Sequence, residues 1–187
     1  MLMRIIVAFA LTLILTGAAA ACGDGDDKEA DVAEVAFGGT DTLTPIAGGP
    51  LIDCAGAAEL EPPSPAAAGI PRIYETRGPF SLMGDTSGVW TAISCEQTLD
   101  RILKVDGVAV IAGENGDEVF IRAHSEIAPA EPNAATYEFT GHDLIIGGTG
   151  SLEGATGAID VVGTINAETL VATDEFTGTI FTVDSSE

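Results

Sequence analysis

From residue 45 onward the chain consists of short apolar and threonine-rich runs, separated by turns that contain glycine, asparagine or aspartate. Runs rich in Val, Ile and Thr are typical of β-strands, and no long stretch after residue 22 has helical periodicity. The clearest turn is Asn115-Gly116, between the apolar runs 108–111 and 119–124, and it is typical of a two-residue hairpin. Sequential strands joined by short turns predict an all-β meander, which closes into a single antiparallel barrel.

The glycine-rich segment 147–157 resembles a segment found in a known family. Its letters, GGTGSLEGATG, are similar to the GGTGRFAGATG of small secreted β-barrels related to allene oxide cyclases and plant dirigent proteins. The letters NGDEVF at 115–120 resemble the ANGDELF hairpin of the bacterial members. The match covers residues 107–181 and implies a calycin-like antiparallel barrel of roughly eight strands around an apolar interior.

The chain departs from this family segment at three positions, and the segment itself says little about chemistry. Ser151 and Glu153 stand where the family more often has Arg and Ala, and Leu152 stands where Phe is common. The glycines fit sharp bends of the backbone, and no Lys follows them as in a phosphate-binding loop. The positions that carry the activity of the plant proteins lie outside the matched segment, so the resemblance transfers no catalytic residue to this chain.

The first 21 residues have the layout of a signal peptide. Arg4 precedes the apolar run 5–15, which is too short to span a bilayer as a permanent helix, and small residues follow. The sequence Ala19-Ala20-Ala21-Cys22 resembles a bacterial lipoprotein processing site and predicts lipid attachment to Cys22. Gly23 in the next position favours an outer-membrane lipoprotein of the bacterial envelope. Ordinary secretion as a soluble protein stays open, because Ala19-Ala20-Ala21 also fits the A-x-A rule.

Charge divides the rest of the chain and limits its partners. Residues 22–44 are acidic and poor in apolar side chains, which predicts a flexible tether before a β-barrel domain at 45–187. The whole chain carries a net charge of -22, and Arg4 is the one charged residue in the first 21. Such a surface repels nucleic acid, so the expected partners are a membrane, through the lipid, and a small apolar ligand.

The three cysteines are Cys22, Cys54 and Cys95, an odd number for an exported protein. If Cys22 carries lipid, Cys54 and Cys95 remain as a pair in an oxidising compartment, and we expect a disulfide between them. Two buried free thiols remain the alternative. No C-x-x-C or H-x-x-x-H spacing occurs, so we expect neither a metal site nor a cofactor.

Few titratable residues point to catalysis. His124 and His142 are the two histidines, and we expect both on the surface. Glu138 and Asp160 interrupt strand-like runs, and a carboxylate inside an apolar barrel would be a usable acid or base. Their alternation with neighbouring residues favours the exposed face for both. No G-x-S-x-G motif of a serine hydrolase is present.

These observations favour a non-enzymatic envelope protein, either structural or binding a small apolar molecule in the barrel. The alternative is an enzyme resembling a cyclase or isomerase that confines an apolar substrate. An acidic surface that binds cations such as calcium is a third hypothesis. If the barrel holds a ligand, we expect aromatic contacts from Phe120, Tyr137 and Phe139, with Trp90 at a rim.

Overall fold

Buried and exposed side chains alternate along the strands, as they do in a sheet with one face inside. In the strand Leu103–Ala112 the buried positions are every second residue from Leu103 to Ile111. The computed structural model describes residues 32–128 and 134–183. The predicted signal peptide and Cys22 lie outside the described residues.

Eight strands form one closed antiparallel barrel, which confirms the predicted all-β class and the meander. The barrel strands are β1 (Val32–Pro45), β4 (Ile73–Phe80), β5 (Gly84–Gln97), β6 (Leu103–Ala112), β7 (Glu118–Ile127), β8 (Thr136–Gly148), β9 (Thr156–Asn166) and β10 (Ala172–Val183). Each strand from β4 to β10 pairs with the next in the chain, and β1 closes the barrel between β10 and β4. The described residues contain no helix that is long and apolar enough to cross a membrane.

The predicted tether is wrong for residues 32–44, because β1 occupies them. Its pairing with β10 runs from Val32–Val183 to Leu43–Ala172. Within residues 38–44 of the strand Leu43 is the one large apolar side chain, and the inner face there includes Gly39 and Asp41. Backbone hydrogen bonds to two neighbouring strands hold it in place, so composition alone misjudged it. The other part of the predicted tether, residues 22–31, lies outside the described residues.

The hairpin between β6 and β7 is confirmed, but its turn is longer than predicted. Residues 113–117 connect the two strands, and the Gly113 N–H donates to the Asp117 carbonyl at 2.9 Å. Gly116 has a φ of 84°, whereas Asn115 has no positive φ. The two-residue turn predicted from Asn-Gly would need positive φ at both residues, and here only Gly116 has it. The predicted two-residue turn is therefore wrong, and the connection is a five-residue loop.

Residues 46–72 leave the barrel between β1 and β4 and pack against one end of it. They include the short strands β2 (Leu51–Ile52) and β3 (Ile70–Pro71) and two 3₁₀ turns, Ala57–Glu59 and Pro65–Ala68. The Cys54–Cys95 disulfide, with an S–S distance of 2.00 Å, joins this segment to β5 and confirms the predicted pairing. Cys54 and Cys95 belong to a buried cluster with Ala57 and Ala92, against which Trp90 packs.

The opposite end of the barrel is filled by apolar side chains. Phe37, Phe80 and Ile180 form one buried cluster with Leu152, from the 3₁₀ turn Gly150–Leu152 of the glycine-rich segment. The glycine-rich segment therefore packs into this end of the barrel, in keeping with a structural purpose for its glycines. The barrel is consequently packed at one end and covered by residues 46–72 at the other.

Candidate functional site

The barrel encloses a cavity of about 140 Å³ to which all eight barrel strands contribute. Most of its wall is aliphatic or aromatic, with side chains such as Ile121, Val161 and Phe176. Among the residues that the structure describes, no Lys, Arg or His lines it. The polar part of the wall is small, and the charged side chains in it are acidic.

Three aspartates, Asp41, Asp143 and Asp174, line this cavity from β1, β8 and β10. Asp41 and Asp174 are directly opposed in the β1–β10 ladder. The Asp41 carboxylate accepts a hydrogen bond through Oδ1 from the Thr42 N–H at 2.8 Å. Together the three carboxylates place up to three negative charges beside an apolar wall.

Asp143 lies where the ladder between β7 and β8 is interrupted. Cα pairing stops at Arg122–Leu144 and resumes at Ser125–Gly141. In the gap, Asp143 Oδ1 accepts a hydrogen bond from the His124 N–H at 3.0 Å. The carboxylate thus satisfies a backbone donor that the interrupted ladder leaves free.

Burial shifts the pKa values of all three carboxyl groups upward. Desolvation raises the pKa of Asp174 to about 7, the neighbouring negative charges of Asp41 and Asp143 add to this shift, and a hydrogen bond from the Asp41 backbone opposes it. Desolvation raises the pKa of Asp143 to about 6, against the opposing hydrogen bond from the His124 N–H. Desolvation also raises the pKa of Asp41. Near neutral pH the site therefore holds carboxyl groups in both protonation states.

Two oxygens at the site lack a hydrogen-bond partner among the described residues: Asp174 Oδ1 and Thr76 Oγ1. Thr76 is 2% exposed and lines the cavity from β4. Its hydroxyl lies near enough to Asp41 to oppose the upward shift of that pKa, but it makes no hydrogen bond of acceptable geometry. Buried polar atoms without partners are rare in proteins, and each calls for an explanation.

Aromatic rings form the wall near these polar groups. Tyr74 and Trp90 contact edge to face with ring centroids 5.6 Å apart, and Phe80 and Phe176 do the same at 5.4 Å. Desolvation raises the pKa of Tyr74 to about 12, so its phenol is neutral at physiological pH. Gly107 leaves room for the indole, since a Cβ there would lie 2.7 Å from a ring carbon of Trp90.

Two of the four aromatic residues predicted as ligand contacts, Trp90 and Phe139, line the cavity. Tyr137 shares the inward alternation of Phe139 on β8 but lies outside the cavity wall, nearer the strand end. Phe120 lies on the outer face of β7, because its neighbours Val119 and Ile121 are the buried residues.

The titratable residues singled out in the sequence lie on the outer face. His142 pairs with Asp160, and both side chains are largely exposed. His124 Nδ1 lies 2.7 Å from Asp106 Oδ1, also outside the barrel. Glu138 is exposed. Within residues 32–128 and 134–183, no three His, Cys, Asp or Glu side chains converge as metal ligands.

Sequence reasoning missed the three cavity aspartates, although the signal for two of them was readable. Asp143 is four residues from Phe139 and Asp174 is two residues from Phe176, so each shares the inward alternation of an aromatic residue. Asp41 lies in the segment that composition assigned to the tether.

Solved structures similar to this chain include two dirigent proteins. No family model and no curated protein matches the chain. The solved structure of the pterocarpan synthase dirigent protein GePTS1 has 14% sequence identity and a TM-score of 0.45, covering 83% of this chain and 93% of that one. The pterocarpan synthase dirigent protein PsPTS1 has 15% identity and a TM-score of 0.40, covering 83% and 97%.

Proposed function

We propose that the protein binds a small, largely apolar molecule inside the barrel. The observation that carries this proposal is the cavity of about 140 Å³, with apolar walls and a few converging polar groups. An apolar cavity of roughly 150 Å³ is large enough to bind benzene, so the expected ligand has about one ring or an aliphatic body of that size. Apolar burial supplies affinity at such a site, and the polar groups orient the ligand.

The polar groups favour ligand binding over a purely structural barrel. A carboxylate oxygen and a hydroxyl oxygen without partners destabilise the empty protein, because each has lost hydrogen bonds to water. Leucine or valine at these positions would fill the interior without that cost. Their presence fits a molecule that supplies the missing hydrogen-bond donors.

The test is titration of the protein with toluene, in which binding is detected as a change in the fluorescence of Trp90. Trp90 is the only tryptophan of the sequence and part of the cavity wall. We expect saturable binding to the wild type. Ala109→Phe should abolish it, because Ala109 is 5% exposed and lines the cavity. Ala158→Phe is the matched control, since Ala158 lies on the outer face of β9. Absence of saturable binding to the wild type would refute the proposal.

A second candidate is a cyclase- or isomerase-like enzyme, favoured by the raised pKa values of Asp143 and Asp174. A carboxyl group with a pKa near 6 or 7 can donate and accept protons at neutral pH. Chemical analysis of a ligand recovered from the protein distinguishes the two roles. A ligand returned unaltered supports a binding protein, and an isomeric product supports the enzyme.

The proposed location is the bacterial envelope, with Cys22 as the lipidated residue of an outer-membrane lipoprotein. The signal-like first 21 residues support export, and a disulfide fits an oxidising compartment. Metabolic labelling with palmitate should mark the wild type in the membrane fraction, and Cys22→Ser should lose the label. An unlabelled wild type in the culture medium would favour secretion as a soluble protein instead.

A further inference from the structure

The charge of the cavity wall is unbalanced. Asp41, Asp143 and Asp174 line it, and among the described residues no basic side chain does. Negative charge beside an apolar wall is costly unless it is paired or neutralised. The protein alone offers one solution, which is protonation of one or more of the carboxyl groups. A bound cation offers the other.

Each of the two unpartnered oxygens can accept a hydrogen bond, and the Thr76 hydroxyl also has a proton that points to the neighbouring Asp41 carboxylate. Neither Asp174 Oδ1 nor Thr76 Oγ1 accepts a hydrogen bond from the described residues, and Thr76 is 2% exposed. An ammonium group carries three N–H donors and no acceptor, which complements this set. A neutral ligand with one hydroxyl donor would satisfy one of the two oxygens and leave the carboxylate charge uncompensated.

The aromatic wall also suits a cation. Tyr74 and Trp90 line the same cavity as the aspartates, and cations are attracted to the faces of Trp and Tyr rings when desolvated. An inorganic divalent ion fits less well, because the described side chains provide no group of three metal ligands. Most of the rest of the wall is apolar and matches a hydrocarbon body.

We propose that the cavity binds a small organic cation, a protonated amine with an apolar body of about one ring, whose ammonium group lies between Asp41, Asp174 and Thr76. This inference rests on the proposed ligand-binding function and specifies its ligand class. It identifies Asp41, Asp174 and Thr76 as the residues that bind the ammonium group.

Calorimetric titration with benzylamine and with benzyl alcohol tests the proposal, because the two probes share ring and size and differ in charge. At pH 8 we expect benzylamine to bind at least tenfold more tightly. Asp174→Asn and Asp41→Asn should each reduce this preference at least tenfold. Asp160→Asn should leave it unchanged, because that carboxylate lies on the outer face.

The pH dependence of the wild type provides a test that needs no variant. The titratable groups lining the cavity are the three aspartates and Tyr74, which stays neutral. From pH 8 to pH 5 the aspartates with raised pKa values become protonated and lose their charge, whereas benzylamine stays protonated. Its affinity should therefore fall at least tenfold, and that of benzyl alcohol should change little.

The outcomes separate the two proposals. Equal affinity for both probes, or an unchanged benzylamine affinity at pH 5, would overturn the cationic ligand and leave apolar ligand binding intact. Displacement of benzylamine by millimolar calcium would also overturn it, in favour of an inorganic ion. If neither probe nor toluene binds, both proposals are refuted.

Discussion

Replacing Asp174 by Asn should stabilise the protein at high pH, which is unusual for a substitution inside a barrel. The Asp174 carboxyl has a pKa of about 7 in the folded protein, whereas the ordinary value for an aspartate is 3.8. Between these two values the folded state binds more protons than the unfolded state, so the free energy of unfolding falls as pH rises. Above pH 7 the folded state carries the full desolvation penalty of an ionised Asp174, and below about pH 4 the carboxyl is protonated and the penalty is absent.

The size of this effect follows from the shift. Each pKa unit corresponds to 1.36 kcal/mol, so the difference between 3.8 and about 7 amounts to at most about 4 kcal/mol. The side chain is half-buried, and residual contact with water reduces this figure. Asparagine has a similar shape and no charge, so Asp174→Asn should raise the free energy of unfolding by about 1–4 kcal/mol at pH 8. At pH 4 the variant and the wild type should differ little.

Urea unfolding at pH 4 and pH 8, followed by Trp90 fluorescence, measures this difference. Asp160→Asn is the control, because Asp160 is exposed beside His142 on the outer face. Unchanged or reduced stability of Asp174→Asn at pH 8 would refute the view that an ionised Asp174 carries a desolvation penalty. A stabilisation of the same size at both pH values would show that charge is not the cause.

Three further predictions concern the barrel that holds the cavity. Replacing Cys54 and Cys95 by Ala should lower the free energy of unfolding by about 4 kcal/mol in the chain-entropy model, as measured by urea unfolding, because the bridge spans 41 residues. Gly163→Ala should lower the melting temperature, since its Cβ would lie 2.6 Å from the Phe139 ring; an unchanged melting temperature would contradict that packing. Leu152→Ala should cost about 2–5 kcal/mol in urea unfolding, because Leu152 is buried in the packed end; a cost below about 1 kcal/mol would argue against that packing.

The barrel was predictable because much of its pairing is local. Strands β6 and β7 join through a five-residue loop marked by Asn115-Gly116, and β9 and β10 join through the short loop 167–171. Strand β1 was missed because its partners in β10 lie more than 120 residues away and because its residues 38–44 are mostly glycine or polar. Local composition carries no information about such a distant partner.

The cavity was harder to predict than the barrel. Alternation can place Asp143 and Asp174 on the inward face, but whether that interior is filled depends on side chains from all eight strands. Two glycines illustrate this dependence on neighbouring strands. The Phe176 ring fills the space where a side chain at Gly39 would lie, and the Phe139 ring does the same at Gly163. Packing of this kind depends on register between strands, which the sequence of a single strand does not contain.

Native mass spectrometry of the full protein, purified from its own host without denaturation, shows directly whether the barrel holds a ligand. We expect a small molecule that is bound non-covalently, is released on unfolding, is absent from Ala109→Phe and is retained by Ala158→Phe. The same spectrum reports the mass of any lipid on Cys22. A wild-type protein that carries no such molecule, and takes up neither toluene nor benzylamine when they are added, would contradict the account.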